Sequence, residues 1–181
     1  TVVSIFEPGT ETELPIGERG EICICTPTVM KGYYNKPEET DMILRRHADG
    51  QIWAHTGDVG YMDEDGYIYI TGRMKSVIVL ENGKNVFPEE IEEYLGKIDY
   101  IAESVVIGRQ DGDCVRLTAL IFPNYAKYPE MSENDLRTEI QKQITALNKR
   151  LPSFKQIHKL EFRKTEFEKT SSKKIKRHLL K

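Results

Sequence analysis

Up to Gly72 the apolar residues come in short runs, and beyond it the runs lengthen and take on helical spacing. Val2–Phe6, Gly20–Cys25 and Gly66–Ile70 read as strands. They are separated by Glu7-Pro8-Gly9, Ile16-Gly17-Glu18 and Asp63-Glu64-Asp65-Gly66, whose Pro, Gly and acidic residues favour turns. Cys23 and Cys25 alternate with Ile22 and Ile24, which puts both thiols on one face of a strand. A helical turn or two is expected at Pro37–Arg46, with Pro37 at its start and Thr40, Ile43 and Leu44 giving weak periodicity.

From Met74 the pattern changes. Ser76–Leu80 is strand-like and runs into Asn82-Gly83, a hairpin-turn dipeptide. Pro88 opens a helix with acids in its first turn, where the helix dipole favours them. Ile101–Gly108 and Val115–Phe122 are two strands joined by the polar turn Arg109–Asp113. Ser132 caps a long helix whose apolar face is Leu136, Ile140, Ile144, Leu147 and Leu151, and Pro152 stops it. Ile157–Phe162 is the last strand expected, with a short basic helix near Ile175–Leu180. The organisation predicted is α+β: a β-rich piece, a joint near Gly72–Lys75, then a small sheet with helices.

Composition narrows the class. Apolar residues make up 39% and charged residues 30% of the chain, as in folded soluble domains. No apolar run approaches the roughly 18–20 residues that cross a bilayer, so no transmembrane segment is expected. Thr1–Phe6 carries neither the basic region nor the cleavage site of a signal peptide. Three cysteines, an odd number, argue against a disulfide framework and for a reducing cytoplasm, and no Cys/His pairing calls for a metal. The net charge of −3 hides an asymmetry, because Lys155–Lys181 holds ten Lys or Arg against Glu161, Glu166 and Glu168. An acidic body with a basic tail suits an anionic partner for the tail.

Three stretches carry candidate chemistry. In Thr56-Gly57-Asp58 the glycine lets a ligand approach the backbone while the carboxylate accepts hydroxyl groups, as ribose-binding acids do. Gly72-Arg73-Met74-Lys75 offers a guanidinium fork. Lys169–Arg177 holds five cations and no acid. Singly, each has an ordinary reading: an Asp in a turn, a surface charge at a strand end, a solvated basic tail or a nucleic-acid contact. The tail lacks the interleaved aromatics that stack on bases, so no nucleic acid is expected.

In order, the stretches are far more specific. Gly17-Glu18-Arg19-Gly20-Glu21-Ile22, Lys31-Gly32-Tyr33-Tyr34-Asn35 and Pro37-Glu38 with Thr40 lead to Asp49-Gly50, His55-Thr56-Gly57-Asp58 and Gly66-Tyr67. Gly72-Arg73 with Lys75, Asn82-Gly83-Lys84-Asn85-Val86 with Pro88 and Glu90-Ile91-Glu92, and the basic tail follow. From Ile16 to Arg177 this series resembles the C-terminal portion of the adenylate-forming (AMP-binding) enzymes, and most closely their acyl-CoA synthetases. The loop at Asn82–Val86 is similar to the long-chain fatty acid–CoA ligases in particular.

The resemblance implies a set of expectations. Residues 1–72 would be a distorted β-barrel subdomain closing the large AMP-binding domain, 73–75 a hinge, and 76–181 a mobile lid. Asp58 and Arg73 would bind the ribose of ATP, Lys75 would be the pivot, and Gly83 would line the pantetheine path of CoA. Lys174 would contact the reacting carboxylate and the α-phosphate during adenylation. The family has Gly before that lysine where this chain has Lys173, so Lys173 and Lys174 are both candidates, and spacing to Ile175 favours Lys174. The enzyme would use ATP, Mg²⁺ and CoA on a carboxylic acid, best a fatty acid. Its phosphate loop and acyl pocket would lie in the remainder of the N-terminal AMP-binding domain, which would make this portion inactive alone. An adenylation domain that loads a carrier protein, and a non-enzymatic nucleic-acid-binding module, are the alternatives. Peripheral attachment to a membrane stays open.

Overall fold

The computed structural model describes residues 1–180, and Lys181, the last cation of the basic tail, lies outside the described residues. The chain forms two compact units, Thr1–Ser76 and Val77–Lys181.

The first unit is built on β1 (Val2–Phe6), β2 (Gly20–Cys25), helix α1 (Pro37–Ile43), β3 (Leu44–Arg46), β4 (Ile52–Met62) and β5 (Ile68–Arg73), ending in a 3-10 turn at Met74–Ser76. The strand order is β1-β2-β4-β3, with β5 also paired to β4 and every pairing antiparallel. The distorted β-barrel expected for this region is not closed: among the described residues the sheet is open and branched. The reason lies in β4. One edge is taken by β2, and the other is divided between β3 near Ile52–Ala54 and β5 near Asp58–Met62. No continuous strand runs along that second edge to curl back onto β1.

Sequence pattern alone did not mark β4 as an unbroken strand. Its run Ile-Trp-Ala-His-Thr-Gly-Asp-Val-Gly-Tyr-Met has no clean alternation, because it is irregular where it passes β2 and β5. Gly60 shows why a glycine sits there: an added Cβ would lie 2.3 Å from the Tyr69 carbonyl oxygen. The two thiols do share a face, with Cys23 fully buried beside Phe6 and Trp53 and Cys25 packing on the same cluster.

The second unit starts with the hairpin β6 (Ile78–Val79) and β7 (Asn85–Val86), as Asn82-Gly83 predicts, although the strands are shorter than the apolar run suggested. Helix α2 (Pro88–Leu95) follows, then β8 (Ile101–Asp111), β9 (Cys114–Pro123), helix α3 (Glu133–Asn148) and β10 (Lys159–Phe162). The sheet order is β10-β9-β8, with β10 parallel to β9 and β8 antiparallel to it. Ser132 caps α3 by accepting the Asp135 N–H. The helix ends at Asn148, ahead of Pro152, which instead leads into a 3-10 turn at Ser153–Lys155. The basic helix expected near the end is a single 3-10 turn, Arg177–Leu179.

The three-stranded sheet has two covered faces, set by the two-residue period of its strands. Val106, Leu117, Ala119 and Ile121 face α2 and α3 and pack with Ile91, Leu95, Ile140 and Ile144. Truncating a fully buried side chain there, such as Ile140→Ala, costs about 2–5 kcal/mol. Val105 and Leu120 point the other way and pack with Phe167, Ile175 and Leu180 of the tail. The basic tail is therefore docked on the sheet by its apolar residues.

Candidate functional site

Two places gather the residues that the sequence singles out, one in each unit. In the first unit, β4 advances from His55 to Val59 while β2 falls back only from Cys23 to Glu21. Thr56-Gly57-Asp58 is thus a bulge within the strand, not a turn at its end. Gly57 has φ +69°, a conformation that suits glycine. Three hydrogen bonds hold the bulge. The Thr56 hydroxyl donates to the Ile22 carbonyl at 2.7 Å, the Asp58 N–H donates to Thr56 Oγ1 at 3.1 Å, and the Gly57 N–H donates to Glu21 Oε1 at 3.1 Å.

Asp58 stands opposite Arg73 across the β4–β5 ladder, and Arg73 Nη1 lies 2.9 Å from Asp58 Oδ1. The arginine side chain is 68% exposed and the aspartate 27%. A pair this open contributes only about 0–1 kcal/mol to stability. Its consequence is orientation: the guanidinium engages one carboxylate oxygen, and the carboxylate keeps lone pairs for a ligand. Lys75 occupies the middle of the 3-10 turn that follows.

Beneath the bulge lies a buried polar chain that sequence reading did not single out. Glu21 Oε2 is 2.8 Å from His55 Nδ1, and His55 Nε2 is 2.9 Å from His47 Nε2. All three side chains are buried. His47 stacks on Trp53 and meets the edge of Phe6. Burial pushes the Glu21 carboxyl up, but its pairing with His55, the Gly57 N–H and the Arg45 charge outweigh it and hold the group below its ordinary value. Burial, with the Glu21 charge, pushes the Cys23 thiol up to about 12. Glu21, Cys23 and His55 bring donor atoms within 4.8 Å of one another. The 2.8 Å spacing of Glu21 and His55 is that of a hydrogen bond, and Cys23 Sγ lies 3.4 Å from the same His55 nitrogen, so hydrogen bonding already joins the three. A buried glutamate on β2 paired in register with histidine-bearing β4 was the available signal, and it needed the register to be seen.

In the second unit, Gly83 lies in the turn between β6 and β7 at φ +75°, its N–H bonded to the Leu80 carbonyl at 2.9 Å. A cavity of about 280 Å³ beside it is lined by Leu80, Glu81, Asn82, Val115, Phe154 and His158, among others. Lys84 Nζ sits 4.3 Å from the centre of the Phe154 ring.

Lys174 lies in a tight turn closed by the bridge of Lys169 with Ile175. Thr170 and Lys174 share a backbone hydrogen bond of 2.8 Å, and the Lys173 N–H donates to the Thr170 carbonyl at 2.9 Å. Lys173 has φ +60°, left-handed backbone that glycine adopts without strain. The turn thus gives a physical reason for the glycine that the resemblance led one to expect at this position. The tail cations also fall into two kinds. Lys169 pairs with Glu103 and Glu166, Lys176 with Glu168, and Arg177 with Glu92 and Glu89. Among the described residues, Lys173 and Lys174 make no ion pair and both are exposed. Glu92 also accepts the Val106 N–H at 2.6 Å, so it ties the tail to α2 and β8 together.

The hairpin that carries Gly83 sends Ile78 and Val86 into the core on one face of the sheet. Ile175, next to Lys174, packs on the opposite face. The two candidate elements of this unit thus belong to different faces.

Residues 75–181 match the family model described as AMP-binding enzyme C-terminal domain, and the chain belongs to that family. It is 36% identical over 98% of its length to a putative acyl–CoA ligase, YdaB, of Bacillus subtilis, covering 32% of that protein. It is 39% identical over 90% of its length to a long-chain-fatty-acid–CoA ligase of the same organism, covering 26% of it. Its fold is similar to that of ATP-bound MatB from Rhodopseudomonas palustris, with a TM-score of 0.76 and 30% identity over 99% of this chain and 33% of that one. The chain spans about a third or less of the length of these relatives.

Proposed function

We propose that this chain serves an AMP-forming acyl-CoA ligase, in which its first unit holds the ribose of ATP and its second unit is a lid that supplies a lysine. The observation that carries the reading is the Asp58–Arg73 pair, a half-buried carboxylate oriented by a guanidinium on a bulged strand. Such a carboxylate accepts the two hydroxyls of a ribose, both in ATP and in the acyl-adenylate formed from it.

In the first half-reaction a carboxylate oxygen attacks the α-phosphorus of ATP and pyrophosphate leaves. Two anions must approach, and a preorganised ammonium between them lowers that cost. Lys174 is suited to this, as an exposed cation at the tip of a docked turn without an acidic neighbour to neutralise it. In the second half-reaction the thiol of CoA attacks the acyl carbon and AMP leaves. A lid that pivots near Lys75, with residues 73–75 as hinge, would withdraw Lys174 and present the Gly83 turn to the pantetheine arm. Placement of these two elements on opposite faces of one sheet supports this division.

Mg²⁺ would enter with the phosphates of ATP. The convergent donors Glu21, Cys23 and His55 do not fit it, because Mg²⁺ prefers six oxygen ligands and keeps several waters. A long-chain fatty acid is the acyl substrate this reading favours, with the cytoplasm as the compartment. No helix among the described residues is long and apolar enough to cross a membrane.

The test is Asp58→Ala in the full-length protein. The account expects a KM for ATP raised about tenfold or more, in line with roughly 1.4 kcal/mol per factor of ten. An unchanged KM removes Asp58 from the nucleotide site.

A further inference from the structure

We propose that Glu21, His55 and His47 form a buried strut that sets the Thr56–Asp58 bulge in its ribose-reading shape, with fixed tautomers and a single proton between the two rings keeping it locked. The idea rests on the reading of Asp58 given above.

The geometry is continuous. Glu21 uses one carboxylate oxygen for the Gly57 N–H of the bulge and the other for His55 Nδ1. An ionised carboxylate only accepts, so His55 must carry its proton on Nδ1, and its Nε2 is then an acceptor. His47 Nε2, 2.9 Å away, must donate. The tautomers of both rings are fixed by Glu21. His47 is in turn fixed by stacking on Trp53 and an edge contact with Phe6, and the Trp53 N–H donates to Asp49 Oδ2 at 3.0 Å. The strut therefore runs from an aromatic cluster to the peptide next to Asp58. Glycine at 57 lacks a side chain that could hold the bulge by packing, so the N–H bond to Glu21 fixes this peptide, beside the two bonds made by the Thr56 hydroxyl.

The Nε2–Nε2 contact has room for one proton. Two N–H groups there would meet head to head, so the contact holds only with one ring donating and the other accepting.

The test has two arms. In the 181-residue chain, nitrogen-15 NMR should find His55 protonated on Nδ1 and His47 on Nε2. His47→Phe keeps the stacking and removes the donor, and should move the His55 ring nitrogens and the Gly57 amide. His47→Gln keeps a donor and should restore both. In the full-length protein, His47→Phe should raise the KM for ATP about threefold to tenfold with kcat within twofold, and the increase should vanish in His47→Gln. A His55 proton found on Nε2, or a Gly57 amide indifferent to His47→Phe, overturns the strut. So does a thiolate-to-metal absorption band on adding Co²⁺, which would make the cluster a metal site. If the NMR results hold but Asp58→Ala leaves the KM for ATP unchanged, the strut stands and the ribose reading fails.

Discussion

Glu21 in the first unit and Glu92 in the second have parallel positions. Each is a glutamate at least half-buried that accepts a backbone N–H, Gly57 for one and Val106 for the other. Each also holds a basic partner, His55 or Arg177. Their carboxyls nonetheless move in opposite directions. Glu21 is held below its ordinary value by His55 and the Gly57 N–H in spite of burial. Burial pushes Glu92 up, and the Glu89 charge adds to it, beyond what Arg177 and the Val106 N–H recover. The lesson is that a permanent cation nearby does not by itself decide a carboxylate's state, because burial and a second acid can outweigh it.

The largest effect expected from breaking this comparison is on the tail. Glu92→Ala leaves Arg177 with Glu89 as its ion-pair partner and strips the Val106 N–H of its acceptor. It should cost the second unit about 2 kcal/mol. Amide exchange at Val106 and proteolysis between Lys169 and Arg177 should both accelerate. A tail as protected as in the parent would show that the apolar contacts of Phe167, Ile175 and Leu180, with the Lys169–Glu103 pair, suffice to dock it.

Next in size is the pivot. Lys75→Pro fixes φ near −65° and pushes Met74 out of helical geometry. One half-reaction should fall at least about tenfold, a barrier of roughly 1.4 kcal/mol, while the other survives. Single-turnover rates for both steps decide it, and unchanged rates would place the pivot elsewhere.

Smaller is the turn before Lys174. Lys173→Gly relieves a left-handed residue and should stabilise the turn by about 1 kcal/mol, measured by urea unfolding. A loss of stability would mean that Lys173 makes a contact worth more than its strain.

The smallest effects are in pH dependence, and their signs differ. Glu21, with its lowered value, contributes stability above the unfolded carboxylate value that is lost as pH falls through the folded one. Glu92, with its raised value, contributes stability below the unfolded value that is lost as pH rises through the folded one. Trp53, the single tryptophan, reports the first unit, and Val106 exchange reports the second. Glu21→Gln and Glu92→Gln should each flatten one slope only. Slopes of the same sign in the two units would undo the contrast.

The sequence made the second unit readable because its signals are local. Ser132, the face of Leu136, Ile140 and Ile144, and Asn82-Gly83 each act within a few residues. In the first unit the decisive features are set by register. That Thr56–Asp58 is a bulge follows from its offset against Cys23 and Glu21, and that β4 branches follows from two short strands sharing its edge. Asp58, Arg73 and Lys174 could be named because they lie in ordered motifs. Glu21, His47 and His55 could not be joined, because only pairing of β2 with β4 and the turn at His47 brings them together.

The most direct measurement follows both half-reactions by single turnover in the full-length protein carrying Asp58→Ala, Lys174→Ala or Lys173→Ala. Lys174→Ala should slow acyl-adenylate formation by roughly 10²–10³, as loss of one preorganised charge contact does, and barely change thioester formation from supplied acyl-adenylate. Asp58→Ala should weaken both steps, because both bind a ribose, and Lys173→Ala should be mild in each. Equal loss in the two steps for Lys174→Ala, or a severe effect confined to Lys173→Ala, would contradict the division of labour between strand and lid.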